Sequence, residues 1–405
     1  MTNRAPSPGA DAPPSPASGR GEKSLVADSI QLALYLHFPW CVRKCPYCDF
    51  NSHALRGEVP EDDYIAALLR DLDFELREPE SRAISSIFMG GGTPSLFSGR
   101  ALGRLLDQVA KRLAFAPDIE ITLEANPGTI DEAHFADYRT AGINRLSIGV
   151  QSMDAAQLKR LGRIHDPQAV RSAIETARRA GFDNLNLDLM FALPQQTPEE
   201  ADRDLAAALA LAPEHFSYYQ LTLEPNTEFA ARPPPLPADD DAWAIQVQGV
   251  ERLAAAGYTR YEVSAYAQPG RQARHNLNYW RFGDYLGIGA GAHGKRSGAG
   301  GIVRRARHKH PKRYLDSAGG ADAIQEQQRI EAADLPFEFC MNALRLDDGF
   351  TLGEFEQRTG LASGVLESAL RDAMQRGLIE RQGEQVRPSA LGRQHLNTLL
   401  MRFLP

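Results

Sequence analysis

The chain has 405 residues, of which 43% are hydrophobic and 24% are charged, a composition that excludes an intrinsically disordered protein and allows one large domain with a smaller one. The formal net charge of -7 excludes a general attraction to nucleic acid or to anionic membranes, so we expect no nucleic-acid partner. No apolar stretch approaches the ~20 residues of a membrane-spanning helix, and the first residues lack a secretory signal pattern, which predicts a cytoplasmic protein.

Residues 1–24 are rich in Pro, Ala, Ser and Gly and show no apolar period. A segment of this kind cannot bury enough apolar surface to offset the entropy that ordering costs. We therefore predict a disordered leader over 1–24.

Across residues 25–265, short apolar runs alternate with amphipathic stretches. Six runs are predicted to be strands: Leu32–His37, Ile87–Gly90, Ile119–Glu124, Leu146–Val150, Leu185–Met190 and Phe216–Leu223. Five stretches are predicted to be helices: Asp62–Leu76, Arg100–Leu113, Asp131–Ala141, Ala169–Ala180 and Glu199–Leu211. Nearly continuous apolar strands favour a parallel sheet covered by helices. The prediction is an α/β fold, a partial (β/α)6 TIM-like barrel whose ligand sites lie at the carboxyl ends of its strands.

The pattern changes after the barrel. Ala231–Asp241, with four prolines and three aspartates, is predicted to be a surface loop. Residues 266–330 are predicted to be a connection, with a mobile, Gly-rich basic part at Gly287–Arg313. Residues 331–405 are predicted to form a small winged-helix-like α+β domain with these elements: helices Pro336–Arg345, Leu352–Thr359 and Ser363–Arg376, a hairpin over Leu378–Val386, and a last helix from Leu391.

Three of the four cysteines, Cys41, Cys45 and Cys48, lie within eight residues, directly after the first predicted strand. Three thiolates on one loop can hold three irons of a [4Fe–4S] cluster and leave the fourth iron open, whereas clusters that only carry electrons normally use four cysteines. The alternative is a zinc site, but structural zinc takes four protein ligands, and no Cys/His pair nearby in the sequence completes the set. The spacing therefore favours the iron–sulfur cluster. Cys340 is assigned no role.

The CxxxCxxC spacing resembles the signature of the radical S-adenosylmethionine superfamily, whose members bind the methionine amino and carboxylate groups at the open iron. The segment GGGTP at 90–94 matches that family's glycine motif, which lets the backbone approach the methionine amino group; a simple tight turn is the alternative. An Arg suits a carboxylate, and an acidic residue suits a ribose diol. The resemblance implies these S-adenosylmethionine-binding residues: Tyr35, Phe50, Gly91, Gly92, Thr93, Glu124, Gln151, Arg163 and Asp188.

Longer segments resemble the oxygen-independent coproporphyrinogen III oxidase family: YLHFPWC, GGGTPS, ITLEANPG, RLSIGVQS and LDLMFALPQQT. In the oxidase itself a fourth cysteine lies two residues after the third, and here Phe50 occupies that position. Conversely, HNLNYW at 275–280 reproduces the HNxxYW motif of a haem-chaperone group in the same family, and residues 337–345 resemble that group's terminal domain. The resemblance implies a haem chaperone that lacks coproporphyrinogen dehydrogenase activity. Oxidative decarboxylation to protoporphyrinogen IX is the alternative.

His275 is the predicted haem ligand, because a neutral imidazole can bind haem iron and Tyr279 and Trp280 offer aromatic faces. The alternative is a partly buried histidine packed by these neighbours.

The resemblance implies haem and a haem-acceptor protein as partners. It leaves open a respiratory haem protein as acceptor, a membrane-associated donor or acceptor, and a homodimer. The basic run Arg304–Arg313 is a candidate contact for haem propionates or an acidic partner, although such runs are usually solvated.

Overall fold

The computed structural model describes residues 30–129 and 132–405, so the leader predicted at 1–24 lies outside the described residues. The strands, in chain order, are β1 (Leu32–Phe38), β2 (Trp40–Cys41), β3 (His53–Ala54), β4 (Ile84–Gly91), β5 (Phe115–Ala125), β6 (Arg145–Gln151), β7 (Leu185–Phe191), β8 (His215–Gln220), β9 (Thr259–Glu262), β10 (Ala265–Ala267), β11 (Asp284–Ile288), β12 (His293–Gly298), β13 (Gly301–Arg307), β14 (Ile324–Arg329), β15 (Phe350–Thr351), β16 (Ile379–Gln382) and β17 (Gln385–Pro388). The α-helices are α1 (Glu61–Glu75), α2 (Gly99–Ala110), α3 (Glu132–Thr140), α4 (Ala155–Arg160), α5 (Pro167–Arg179), α6 (Pro198–Leu209), α7 (Glu228–Ala231), α8 (Asp239–Ala255), α9 (Arg274–Trp280), α10 (Pro311–Ser317), α11 (Leu335–Ala343), α12 (Leu352–Thr359), α13 (Glu367–Gln375), α14 (Ala390–Gln394) and α15 (Leu396–Leu400).

A sheet of twelve strands, in the order β14-β13-β12-β11-β1-β4-β5-β6-β7-β8-β10-β9, forms the main body. Strands β1, β4, β5, β6, β7 and β8 pair in parallel and are the six strands predicted from the sequence. Their apolar runs reflect burial on both faces; in β1, Leu32, Leu34, Leu36 and Phe38 are all fully buried. The predicted α/β fold with six parallel strands is confirmed.

Strands β11, β12 and β13 place most of the stretch Gly287–Arg313 in this sheet, and helix α10 begins at Pro311, so the prediction of a mobile connection there was wrong. Strand β11 pairs in parallel with β1, and β12, β13 and β14 continue the sheet in antiparallel order. The glycines permit close packing, since a Cβ on Gly287 would collide with the backbone carbonyl of His293. A Gly-rich composition therefore marks close strand contacts here and does not mark a flexible segment.

The arginines of the basic run that lie in β13 are ion-paired in the fold. Arg307 is 1% exposed and forms ion pairs with Asp71 and Glu75 of helix α1. Arg305 also pairs with Glu75, at 2.9 Å. Because strand residues alternate between faces, Arg304 lies on the other face of β13 and pairs with Glu338, so a run of charge in the sequence does not become one solvated face. His310 and other residues at the end of the run are exposed.

Residues 335–405 form a smaller unit with its own apolar core, as predicted. Helices α11, α12 and α13 pack beside a three-stranded sheet in the order β15-β17-β16. Cys340 is fully buried in this core, and Phe282 and Ile302 from the main sheet region join it. The predicted helix Ser363–Arg376 begins as a 3-10 helix over Ser363–Leu366 before α13. The winged-helix-like arrangement thus shares an apolar interface with the barrel.

The predicted surface loop at Ala231–Asp241 is shorter than expected. Helix α7 ends at Ala231, and the 17-residue helix α8 begins at Asp239. Three aspartates occupy the first turn of α8, where negative charge complements the positive end of the helix dipole. The three aspartates, which were predicted to belong to a loop, therefore form the first turn of a helix.

No helix in the described part of the chain is long and apolar enough to cross a membrane.

Candidate functional site

The three clustered cysteines lie at the carboxyl end of β1, on the loop that β2 and β3 hold by a short parallel pairing. A turn bond from the Cys48 amide to the Cys45 carbonyl, 3.1 Å long, bends the loop. All three thiols are free and half-buried. The Thr93 hydroxyl donates to Cys41 Sγ at 3.4 Å, and Arg163 Nη1 lies 3.5 Å from Cys45 Sγ. Elements from three strand ends thus converge on the thiols.

A cavity of about 320 Å³ opens beside these thiols at the carboxyl edge of the parallel strands. It is lined by eleven of the residues singled out from the sequence: Cys41, Cys45, Cys48, Phe50, Gly91, Gly92, Thr93, Glu124, Gln151, Arg163 and Asp188. Sequence reasoning missed Tyr47, Asn126 and Tyr219, which line the same cavity. Asn126 follows a predicted strand and carries the signal that identified its neighbours, whereas Tyr219 lies inside the predicted strand Phe216–Leu223.

The glycine motif is required by packing. Gly91 has φ of 109°, and a Cβ there would collide with the His37 ring. The Gly92 amide donates to the Phe38 carbonyl at 2.7 Å, and the Thr93 amide donates to the Trp40 carbonyl at 2.7 Å. These bonds join the end of β4 to the chain that leads into the cysteine loop. The close approach of this backbone to a ligand stays a prediction.

Arg163 presents a charged donor to the cavity. Its Nη2 donates to the Gly149 carbonyl at 2.7 Å and to Asn126 Oδ1 at 3.2 Å. Its buried Nε has no hydrogen-bond partner in the described structure. Because a buried donor left unpaired is costly, the guanidinium is suited to an additional acceptor such as a carboxylate. The donor set therefore fits the carboxylate that the sequence resemblance implies.

Two buried carboxyl groups face each other across the cavity. Burial, and then the proximity of Asp188, raises the pKa of Glu124 to about 8. Burial also raises the pKa of Asp188, against hydrogen bonds from Ser217, Asn186 and Ser147. Glu124 Oε2 accepts a 3.0 Å bond from the Gly91 amide. At neutral pH Glu124 can therefore hold a proton and act as a hydrogen-bond donor, for example to a ribose hydroxyl.

Gln151 ends β6 in the left-handed region, with φ of 67°. A non-glycine residue in this region is strained, and such strain is concentrated at functional sites. Its Oε1 accepts a 2.8 Å bond from the Tyr219 hydroxyl, and a β-bulge interrupts the pairing of β6 with β7 just before it. The amide side chain is thus held at the cavity wall.

The thiols fit an iron–sulfur cluster better than a single metal ion. No group of three His, Cys, Asp or Glu side chains within residues 30–129 and 132–405 is arranged around one ion. A cubane is bound through separate irons, so its thiolates need not meet at one point. Burial raises the pKa of Cys41 and of Cys48, and binding to iron would therefore have to displace their protons.

The charge of Glu124 should make the stability of the ligand-free protein depend on pH. Between the ordinary pKa of about 4.3 and its folded value of about 8, the native state keeps a proton that the unfolded state loses, so rising pH favours unfolding. Glu124→Gln removes this effect. Relative to the wild type, the free energy of unfolding of Glu124→Gln should rise by ~3–4 kcal/mol between pH 5 and pH 8.

Urea denaturation at both pH values measures this difference. The exposed Glu251→Gln is the matched control and should follow the wild type at both pH values. A Glu124→Gln advantage that is the same at pH 5 and pH 8 would contradict the raised pKa.

A second cavity, of about 460 Å³, adjoins the first and shares Phe50, Gly91 and Glu124 with it. Its aromatic lining consists of the side chains of Tyr35, Phe88, Tyr279 and Tyr285, together with Phe50. Tyr35 therefore lines this neighbouring cavity together with Phe50, Gly91 and Glu124 and does not line the cavity beside the thiols. Its hydroxyl is 3.0 Å from His37 Nδ1.

His275 lies behind this aromatic lining and is 1% exposed. Its Nδ1 is 3.0 Å from Ser86 Oγ and its Nε2 is 2.9 Å from the Tyr279 hydroxyl. Burial lowers its pKa to about 3. Trp280 does not line the cavity and packs under the Arg345 guanidinium, 4.4 Å from the ring centre. Both ring nitrogens of His275 are engaged here, and its role as haem ligand stays a prediction.

The chain matches a family model described as the Radical SAM superfamily over residues 35–208, and one described as the HemN C-terminal domain over residues 330–395. It is 51% identical over 374 residues to heme chaperone HemW of Escherichia coli strain K12, a match that covers 92% of this chain and 98% of the relative. It is 36% identical over 368 residues to heme chaperone HemW of Mycobacterium tuberculosis strain H37Rv, covering 89% of this chain and 91% of the relative.

Among solved structures, the fold is similar to that of coproporphyrinogen III oxidase (HemN) from Escherichia coli, a radical SAM enzyme. The TM-score is 0.79 at 23% identity, and the match covers 92% of this chain and 90% of the oxidase. At this identity the likeness establishes the fold alone. With the cysteine loop at the end of β1, the polar strand ends and the extensive identity to its relatives, the chain belongs to the radical SAM superfamily and, within it, to the HemW family.

Proposed function

We propose that this protein is a haem chaperone that binds a [4Fe–4S] cluster and S-adenosylmethionine in the thiol-lined cavity and haem in the aromatic cavity, and passes haem to an acceptor protein. The observation that carries the proposal is the aromatic cavity directly beside the thiol-lined one, with Phe50, Gly91 and Glu124 common to both. Phe50 is 59% exposed, and an aromatic side chain there can cover the face of a macrocycle. The relatives named as heme chaperones support the same proposal.

In the thiol-lined cavity, Cys41, Cys45 and Cys48 would be the cluster ligands. The bound cluster would supply an open iron able to chelate the amino and carboxylate groups of S-adenosylmethionine. Arg163 would pair with that carboxylate through its unpartnered Nε. Protonated Glu124 would donate to a hydroxyl of the nucleoside, so the chain's own residues would bind and orient the cofactor.

The HNxxYW motif makes His275 the predicted haem ligand, but ligation requires a change from this conformation. The imidazole would have to give up its contact with the Tyr279 hydroxyl and become exposed to the cavity. Glu120 Oε1 accepts from the backbone amides of Arg274 and His275, at 2.9 and 3.3 Å, and so holds this end of α9 in place. Ligation by His275 therefore implies movement of helix α9.

The proposed function is tested by titrating the iron-reconstituted protein with haem under anaerobic conditions while recording visible spectra. The same sample is assayed for decarboxylation of coproporphyrinogen III with a reductant and S-adenosylmethionine. We expect about one haem bound per chain and no protoporphyrinogen. Turnover to protoporphyrinogen without haem binding would instead identify an oxidase and would mean that Phe50 in place of the fourth cysteine is compatible with oxidase activity.

A further inference from the structure

The aromatic cavity contains an accessible imidazole other than His275. His293 is the first residue of β12, is exposed, and lines the cavity together with Tyr35 and Tyr279. His275 does not line it. An imidazole that reaches the cavity without a change in the fold is the more direct source of a nitrogen ligand.

Strand pairing holds the backbone of His293 in place, whereas its imidazole ring is available to a ligand. Its Cα pairs with that of Ala306 in the ladder between β12 and β13, and a Cβ on Gly287 would collide with its carbonyl. Within the described part of the chain, the ring of His293 makes no hydrogen bond. Nothing in the surrounding contacts therefore has to break before this ring can bind iron.

The charges around His293 favour its neutral, ligating form. Burial and then the neighbouring Lys309 and Arg304 lower its pKa, while Glu326 has the opposite effect. His37, on the other side of the cavity, also stays neutral, since burial lowers its pKa to about 4. Imidazole binds metal only when it is deprotonated, so little proton competition is expected at neutral pH.

A cation for the anionic edge of haem lies at the same cavity. Lys309 is exposed there, and its ammonium has no hydrogen-bond or ion-pair partner among the described residues. Its carbonyl accepts 2.9 and 3.2 Å bonds from Asn51 Nδ2 and His53 Nε2, which tie this segment to the cysteine loop. The carboxylate-bearing Asp49 also lines the cavity.

We propose that His293 provides an axial ligand to haem iron in the aromatic cavity and that Lys309 pairs with a haem propionate. This assignment rests on the proposed function and deepens it by naming the residues that recognise haem. The two side chains approach from β12 and from the segment after β13, so both depend on the part of the sheet that follows helix α9.

The test uses the full-length, iron-reconstituted protein and compares His293→Gly with the wild type in an anaerobic haem titration followed by visible spectroscopy. We expect His293→Gly to shift the Soret band and to weaken haem binding about tenfold or more. Added imidazole should restore the wild-type spectrum, which a purely structural defect would not allow. His310→Ala, at an exposed histidine outside the aromatic cavity, is the matched control and should retain the wild-type spectrum.

The outcomes separate the two proposals. A wild-type spectrum in His293→Gly, with a changed one in His275→Gln, would overturn the assignment of His293 and would support the residue predicted from the motif. Failure of the wild-type protein to bind haem would overturn the proposed function and the assignment together. Haem bound by the wild type and by His293→Gly with equal affinity and identical spectra would overturn the assignment alone.

Lys309 is tested with haem dimethyl ester, which lacks the propionate charges. We expect Lys309→Met to weaken binding of haem about threefold at low salt and to leave binding of the ester unchanged. Equal losses for haem and for its ester would contradict propionate pairing.

Discussion

Replacement of Cys41, Cys45 or Cys48 by alanine is expected to abolish the iron–sulfur cluster, because two thiolates cannot hold a cubane securely. Each thiol occupies its own place on the loop and has its own neighbour, Thr93 for Cys41 and Arg163 for Cys45, so one cysteine cannot substitute for another. Iron content after anaerobic reconstitution should fall from about four atoms per chain to near zero. Iron analysis and the visible absorption of the cluster measure the loss.

The chain supplies its own control for this experiment. Cys340 is fully buried in the core of the C-terminal unit, away from the thiol-lined cavity. Cys340→Ala removes one cysteine and should still incorporate the full complement of iron. Circular dichroism should show that all four variants are folded. Retention of about four irons in any of the three loop variants would refute the ligand assignment.

Arg307→Ala should be the most destabilising single substitution among those considered, lowering the free energy of unfolding by ~3–5 kcal/mol. The guanidinium is 1% exposed, and Arg307 Nε donates to Asp71 Oδ1 at 2.9 Å. Glu75 accepts from the same guanidinium, and the Tyr314 hydroxyl donates to Asp71 Oδ2 at 2.8 Å. Removal of Arg307 would leave the buried Asp71 carboxylate without its cation, and Glu75 would keep only its pair with Arg305.

Urea denaturation of Arg307→Ala and Arg313→Ala provides the comparison. Arg313 belongs to the same basic run but is not part of the buried network, so its replacement should cost less than ~0.5 kcal/mol. The deficit of Arg307→Ala should shrink at low pH, because burial raises the pKa of Asp71 and its protonation removes the uncompensated charge. Equal stability of the two variants, or a deficit that grows as pH falls, would contradict this account.

This ion cluster also has a consequence for the candidate site. It joins helix α1 to β13, which pairs with β12 and so supports the strand that begins at His293. Loss of Arg307 should therefore weaken the wall of the aromatic cavity without touching its lining. For this reason the haem titrations are best interpreted alongside stability measurements.

Local patterns in the sequence were sufficient for the six parallel strands and for the cysteine loop. Apolar runs of strand length follow from burial on both faces, and they recur in β1, β4, β5, β6, β7 and β8. The carboxyl ends of parallel strands meet at one edge, so Glu124, Gln151 and Asp188 could be expected near the cysteines, and they line the same cavity. The bounds predicted for helix α12 match the structure, in which Thr351 and Glu354 form a capping box at its start.

Contacts between distant segments decided the rest. Strand β11 pairs with β1, and Arg307 pairs with Asp71, over separations that no local period can reveal. Charged residues are usually exposed, and only the partners supplied by helix α1 make their burial in β13 tolerable. In the same way, the sequence motif marked His275 as a possible ligand and gave no signal for His293. The packing of α9 buries His275, while the strand register brings His293 to the cavity, because access to a ligand is a property of the assembled sheet.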